Sequence, residues 1–136
     1  DLITSPSVED PVRYVAELAQ YIADRRITLE VCITSNLQTN PSIGSVAGHR
    51  IRRMLDARLS VTLCTDNRLI SHTTVCREYE RAIEGLDLTP NQVRDLLIYG
   101  FKRSFYPGGY KEKRTYVRQV IDHLDGILAQ AGMVVR

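Results

Sequence analysis

Several features that would mark common protein classes are absent from this sequence. It has no tryptophan, and no apolar run approaches the roughly 18 residues that a membrane-spanning helix needs. A secretory signal, a Gly-x-Ser-x-Gly elbow, a phosphate-binding glycine loop and a Cys-x-x-Cys pair are also missing. Its three cysteines, Cys32, Cys64 and Cys76, are an odd number without close spacing. This pattern favours reduced thiols and a cytoplasmic location, with no membrane partner.

An excess of charge of either sign is missing as well. The chain has 136 residues, 18 basic and 16 acidic side chains and 43% hydrophobic content, which is typical of one globular domain. Arginines 50, 52 and 53 could be a basic patch, but a solvated helix face explains them better. The near-balanced charge therefore gives no case for a nucleic-acid partner.

The hydrophobic pattern predicts an α/β fold with two strands, near residues 28–33 and 60–65, and about five helices. Asp10 and Pro11 are typical of a helix start, as are Thr89 and Pro90. The order helix, strand, helix, strand, with short connections, indicates parallel strands. A polar segment from Leu37 to Gly48 is predicted to be irregular.

Polar side chains follow both predicted strands. Thr34-Ser35-Asn36 ends the first strand, and Thr65-Asp66-Asn67 ends the second. In α/β enzymes, ligands bind at the carboxyl ends of parallel strands, so an acid there could bind a metal or act as a base. The same residues could instead be an ordinary helix cap, which is the commoner reading.

Histidines and cysteines give no independent catalytic site. His49, His72 and His123 have no metal-binding spacing, and structural or surface roles are favoured for all three. Cys32 and Cys64 lie just before the two polar strand ends, on strands that should be neighbours. Cysteines in strands usually behave as small buried hydrophobes.

Three segments and one histidine carry a resemblance to a known family. Residues 30–36, His49, residues 51–57 and residues 61–67 resemble the C-terminal part of the adenosine deaminases, and the helical tail agrees. The resemblance covers residues 8–120 approximately, and its most specific part is the pair of strand-end motifs. It implies that residues 1–136 are the C-terminal portion of a (β/α)8 TIM-barrel hydrolase.

The resemblance also implies roles for individual residues. Such enzymes remove the 6-amino group of adenosine with water activated by a zinc ion. Asp66 matches the metal-binding Asp of the family's eighth strand, and Ser35 and Asn36 match the end of the seventh, where they would support the metal site. His49 matches a family histidine without a catalytic role. Asn67 replaces an Asp that contacts the purine in this family. Asn67 is therefore the candidate substrate-binding residue, and the replacement leaves the identity of the substrate undetermined.

The family's other motifs are absent. The His-x-His pair, the His-Ala-Gly-Glu strand with its proton-donating Glu, and the third metal-binding His have no counterpart, and residue 1 is Asp. The sequence therefore resembles a piece of a longer protein, with a processed N-terminus as the alternative. Asp66 alone cannot hold zinc, because a catalytic site needs about three protein ligands. We expect this chain alone to be inactive.

An alternative function is a non-catalytic helical module that binds a partner. Two parallel strands cannot form a complete sheet of this kind, so we expect their edges to be covered. The cover would be the missing N-terminal part of the barrel or a second copy of the chain. Upstream sequence with or without the missing motifs separates the two hypotheses.

Overall fold

The computed structural model describes residues 7–132, which form two strands and seven helices. The predicted domain, residues 1–136, extends beyond this range at both ends. About five helices were expected, and the two additional short helices each begin soon after a strand. In chain order the elements are α1 (Pro11–Asp24), β1 (Thr28–Val31), α2 (Ile33–Thr39), α3 (Ile51–Asp56), β2 (Ser60–Leu63), α4 (Arg68–Ser71), α5 (Val75–Leu86), α6 (Pro90–Arg103) and α7 (Tyr110–Gln130).

The two strands pair in parallel, as predicted. Thr28 lies opposite Ser60, and Val31 lies opposite Leu63. Beyond this ladder, the Cys64 N–H donates to the Val31 carbonyl oxygen over 3.0 Å. Both strands therefore end side by side, and the residues that follow them meet at one edge of the sheet.

Both strands are shorter than the sequence predicted. The predicted first strand reached Ile33, but Ile33 is the first residue of α2. Thr34-Ser35-Asn36 is consequently part of a helix and not an extended strand end. Ile33 is fully buried in the core, and the buried carboxylate of Glu78 accepts the Thr34 N–H. These two contacts stabilise a helix start in a segment rich in β-branched residues.

Alternate residues of the strands build a core on one face of the sheet. Val31, Val61 and Leu63 point to this face, where helices α3, α5 and α6 cover them. Burying such side chains stabilises the fold by about 1.5–3 kcal/mol each. The buried cluster comprises Val31, Ile33, Ile51, Leu59, Val61, Leu63, Ala82, Leu86 and Leu96.

Helix starts follow the predicted capping chemistry. Asp10 accepts the Arg13 N–H at the start of α1, and Pro11 is its first residue. Thr89 and Gln92 form a reciprocal capping box at the start of α6. Each such cap satisfies backbone N–H groups that the helix leaves without partners. Both predicted starts are confirmed.

The long C-terminal helix packs along α6. Arg94 donates two hydrogen bonds to Asp125, of 2.8 and 3.0 Å, so the guanidinium and carboxylate planes fit side by side. The guanidinium holds the pKa of Asp125 below its usual range.

None of the helices in residues 7–132 is long and apolar enough to cross a bilayer.

Candidate functional site

The parallel strands bring Ser35 and Asp66 together. Ser35 lies in the first turn of α2, directly after β1, and Asp66 follows β2. The Ser35 hydroxyl donates to Asp66 Oδ2 over 3.0 Å, although the two residues are 31 positions apart. Ser35 is 9% exposed, whereas Asp66 is exposed. Asp66 thus presents a carboxylate whose orientation is fixed by one hydroxyl.

Asp66 also has an unusual backbone conformation. Its φ is +53°, in the left-handed region that residues other than glycine seldom occupy. This turn ends the β2 segment and points the chain into α4 two residues later. A left-handed non-glycine residue costs roughly 1–2 kcal/mol, although Asp tolerates it better than most. Strain of this kind at a strand end is typical of functional sites.

Asn67 is the N-cap of α4. Its Oδ1 accepts the N–H groups of Leu69 and Ile70, over 3.1 and 3.2 Å. The helix-cap interpretation of this segment is therefore confirmed for Asn67. Within residues 7–132, its Nδ2 amino group makes no hydrogen bond. Contact between Asn67 and a purine stays a prediction.

Asn36 binds His49 and makes no hydrogen bond to Asp66. His49 is 3% exposed, and its Nδ1 accepts the Ile51 N–H over 3.1 Å. The proton of a neutral ring must then be on Nε2, which lies 3.0 Å from Asn36 Nδ2. Because two donors cannot bond each other, we assign the Asn36 amide turned by 180°, so that its oxygen takes the place of Nδ2 and accepts from Nε2.

Burial controls the charge of His49. It lowers the pKa of the imidazole from its ordinary value of 6.5, and the negative charge of Glu78 opposes this shift only in part. His49 therefore stays neutral and anchors the start of α3. This agrees with the structural role favoured by the sequence.

Glu78 supports the site from α5, a role that sequence reasoning missed. It is fully buried in α5, and its carboxylate accepts the backbone N–H of Thr34 and the hydroxyls of Thr34 and Thr73. Arg81 adds a 2.9 Å hydrogen bond to the Thr34 hydroxyl. Glu78 thereby ties the first turn of α2, which carries Ser35, to α5. A charged residue on the inner face of an amphipathic helix was the available signal.

Cys32 and Cys64 lie opposite each other just before the site. Their sulfur atoms are 3.1 Å apart, and both side chains are half-buried. Burial, and then the hydrogen bond with Cys64, raises the pKa of Cys32 to about 12. Cys32 is therefore a neutral thiol near pH 7. Cys76 is exposed on α5.

The remaining histidines lie outside this cluster. His72 is exposed at the C-terminal end of α4, with a left-handed φ of +49°. His123 is exposed on α7 and lines an apolar groove formed with α6. No hydrogen bond in the described part of the chain links either residue to Asp66.

The described residues do not fit a complete metal centre. Across residues 7–132, no group of three or more His, Cys, Asp or Glu side chains could hold a metal ion. Asp66 supplies one carboxylate, and its partner Ser35 is a hydroxyl and not an additional acid. Among the described residues, Asp66 is therefore a single candidate ligand, which is fewer than the three or so protein ligands of a catalytic zinc site.

Comparison with known proteins places this arrangement in a family. The adenosine deaminase family model matches residues 5–123. Adenosine deaminase 1 of Streptomyces coelicolor is 35% identical over 113 residues, which are 83% of this chain and 28% of that protein. An adenosine deaminase of Mycobacterium sp. (strain JLS) is 34% identical over 115 residues, 85% of this chain and 31% of that protein. The chain thus spans less than a third of these relatives' length.

Solved structures agree on the fold. Arabidopsis ADAL complexed with GMP superposes with a TM-score of 0.65 and 26% identity, over 79% of this chain and 31% of that one. The Arabidopsis N6-mAMP deaminase MAPDA superposes with a TM-score of 0.63 and 22% identity, over 85% and 39%. The predicted fold class, the C-terminal portion of a barrel hydrolase, is confirmed. The chain belongs to the adenosine deaminase family.

Proposed function

We propose that the protein to which this chain belongs hydrolyses the 6-amino group of adenosine or a related 6-aminopurine. Water adds its oxygen to the purine ring, and the amino group leaves as ammonia. The family match and the adenosine deaminases among the relatives support this activity. The chain would supply the last two strand ends of the site.

The contact between Ser35 and Asp66 is the observation that carries this proposal. The Ser35 hydroxyl donates its hydrogen bond to Oδ2 of Asp66, so Oδ1 is the oxygen that remains to bind a ligand. In the proposed enzyme, Asp66 contributes one donor to a zinc ion whose other ligands lie outside this chain. A bound zinc ion supplies water with a pKa of about 7. Ser35 keeps the carboxylate in one orientation.

Asn67 would face the substrate with its amino group. Because its Oδ1 is used in capping α4, only Nδ2 is available to donate a hydrogen bond. A donor there would bind a ring nitrogen lone pair, whereas an Asp would only accept unless it were protonated. The relatives are adenosine deaminases, and the solved ADAL structure holds GMP, so nucleosides and nucleotides are both substrate candidates.

The proposed partner of this chain is the remainder of the barrel, or a second copy of the chain. Within the described residues the sheet has two strands, so each strand has one edge without a paired neighbour. Strands that close the barrel would pair with these edges. Nucleic acid and membranes are not proposed as partners, and a cytoplasmic location stays a prediction.

Deamination assays on the isolated chain and on the longer protein test this function. We expect no zinc-dependent release of ammonia from adenosine or AMP by residues 1–136 alone, because Asp66 has no companion ligands within residues 7–132. In the longer protein, Asp66→Asn should abolish activity, and Ser35→Ala should lower it about 10–100-fold. Asp87→Asn, at another exposed left-handed Asp, is the matched control and should keep full activity.

Two results would contradict the proposal. Turnover by the isolated chain would show that its residues form a complete site, and full activity of Asp66→Asn would remove Asp66 from the site. Upstream sequence that lacks the His-x-His and His-Ala-Gly-Glu motifs would favour the alternative, a non-catalytic interaction module. The fully exposed Phe105 is the kind of apolar side chain that such a module would use.

A further inference from the structure

We propose that Cys32 and Cys64 form an oxidisable dithiol, a modification site that reacts with small-molecule disulfides. The register of the sheet carries this inference. Val31 lies opposite Leu63, and the next residue of each segment is a cysteine. The Cys64 N–H still bonds the Val31 carbonyl oxygen, so the segments remain adjacent at the cysteines.

The backbone spacing suits a disulfide. Paired strands lie about 4.7–4.9 Å apart, and disulfides need a Cα separation of about 4.4–6.8 Å. The two sulfur atoms are already 3.1 Å apart, on the same side of the sheet. A bond between them would therefore require little movement of the strands.

The reaction needs only a disulfide reagent such as oxidised glutathione. One cysteine sulfur attacks the reagent, forms a mixed disulfide and releases one thiol. The second cysteine sulfur then attacks the protein sulfur of the mixed disulfide, which releases the second thiol. The two protein thiols lose two electrons and two protons in total, and the reagent takes them up.

The bond would affect the candidate site directly. Cys32 immediately precedes α2, which carries Ser35, and Cys64 lies two residues before Asp66. A disulfide here would fix the distance between the two strand ends that the Ser35–Asp66 hydrogen bond joins. The inference does not depend on the proposed deaminase activity, because it concerns thiol chemistry alone.

Mass spectrometry of the 136-residue chain tests the proposal. The folded chain is incubated with excess oxidised glutathione, unfolded in the presence of an alkylating reagent and digested. We expect a peptide pair that links Cys32 to Cys64 and has lost the mass of two hydrogen atoms, while the exposed Cys76 is either alkylated or carries one glutathione. Dithiothreitol should restore all three labels.

Matched controls separate the folded geometry from random pairing. Cys76→Ser should still form the bond, whereas Cys32→Ser and Cys64→Ser should not. In the urea-unfolded chain, loop-closure entropy favours the pair that is closer in sequence, Cys64 and Cys76. Three labelled cysteines after oxidation of the folded chain, or linked peptides that contain Cys76, would overturn the proposal. Because the unmodified chain gives this result, it does not depend on how the variants fold.

Discussion

At the scale of single residues, the candidate site depends on Asp66, whose backbone and side chain have opposite effects on stability. The left-handed φ of +53° is a cost, and the hydrogen bond from Ser35 is a gain. Asp87 has a similar φ of +49° at the end of α5, and within residues 7–132 its side chain makes no hydrogen bond like the one between Asp66 and Ser35. Comparing the two positions isolates the contribution of the site contact.

We predict that Asp87→Gly raises the free energy of unfolding by about 1 kcal/mol, because glycine adopts φ > 0 without strain. Asp66→Gly should raise the free energy of unfolding by less, since this variant also loses the hydrogen bond from Ser35, worth about 1 kcal/mol. Urea unfolding of both variants measures the difference. In a Ser35→Ala background the two substitutions should have equal effects, and a persistent difference would contradict this account.

His49 gives the chain a predictable dependence on pH. Its folded-state pKa is lower than the ordinary value of 6.5, because burial disfavours the charged ring. Below the pKa that His49 has in the unfolded state, the ring is protonated in the unfolded state and stays neutral in the folded state until the pH reaches the folded pKa. The contribution of His49 to stability is therefore complete above pH 6.5 and decreases as the pH falls from there towards the folded pKa.

We predict that His49→Asn removes this part of the pH dependence, since the Asn carbonyl can still accept the Ile51 N–H. His123→Gln, which changes an exposed histidine, is the control and should leave the pH dependence unchanged. Free energies of unfolding measured between about pH 8 and pH 5 test both variants. An identical acid-dependent loss in His49→Asn and the original chain would exclude His49 as its source.

At the scale of elements, close packing against helices decides which glycines can be replaced. Gly85 lies inside α5, beside the loop that precedes α3. A Cβ atom at position 85 would lie 2.5 Å from Val46 Cγ1. Gly126 lies inside α7, where a Cβ atom would meet nothing within 4 Å. From helix propensity alone, Gly→Ala is expected to have the same effect on stability at both positions.

Gly85→Ala should destabilise the chain by about 1–3 kcal/mol, because the overlap with Val46 exceeds the gain in helix propensity. Gly126→Ala, the matched control, should stabilise it by about 0.5–1 kcal/mol. Adding Val46→Gly to Gly85→Ala should recover part of the loss. Thermal and urea unfolding provide the measurement, and equal effects at the two glycines would contradict the packing argument.

At the scale of the whole molecule, much apolar surface is open. Leu69 and Ile70 of α4 are 84% and 72% exposed, and Phe105 is completely exposed. An apolar groove of about 330 Å³ also lies between α6 and α7. Since the chain spans less than a third of its relatives' length, such surfaces agree with a proposed cover by the remainder of the barrel.

We predict that the isolated chain associates with itself through these side chains as its concentration rises. Leu69→Ser combined with Phe105→Ser should weaken the association severalfold without unfolding the chain, because both side chains are exposed. Glu84→Ser, at an exposed polar position, should have no effect. Sedimentation velocity over a concentration series gives the result, and a monomer at all concentrations would refute the prediction.

The sequence by itself determined the class of fold and the family. Short runs of β-branched and apolar residues predicted two strands, order along the chain predicted that they are parallel, and capping residues predicted where α1 and α6 begin. The strand-end motifs indicated the adenosine deaminases, because those motifs are local in sequence. Local patterns of this kind depend on short-range sterics and hydrogen bonding, so they can be read directly.

Only the tertiary structure decided where the strands end and what supports the candidate site. Burial of Ile33 and the carboxylate of Glu78 converted the predicted end of β1 into the start of α2. The meeting of Ser35 with Asp66, and of Cys32 with Cys64, depends on a parallel register between distant segments. No local pattern encodes such contacts, because they form only when the helices that pack behind the sheet fix that register.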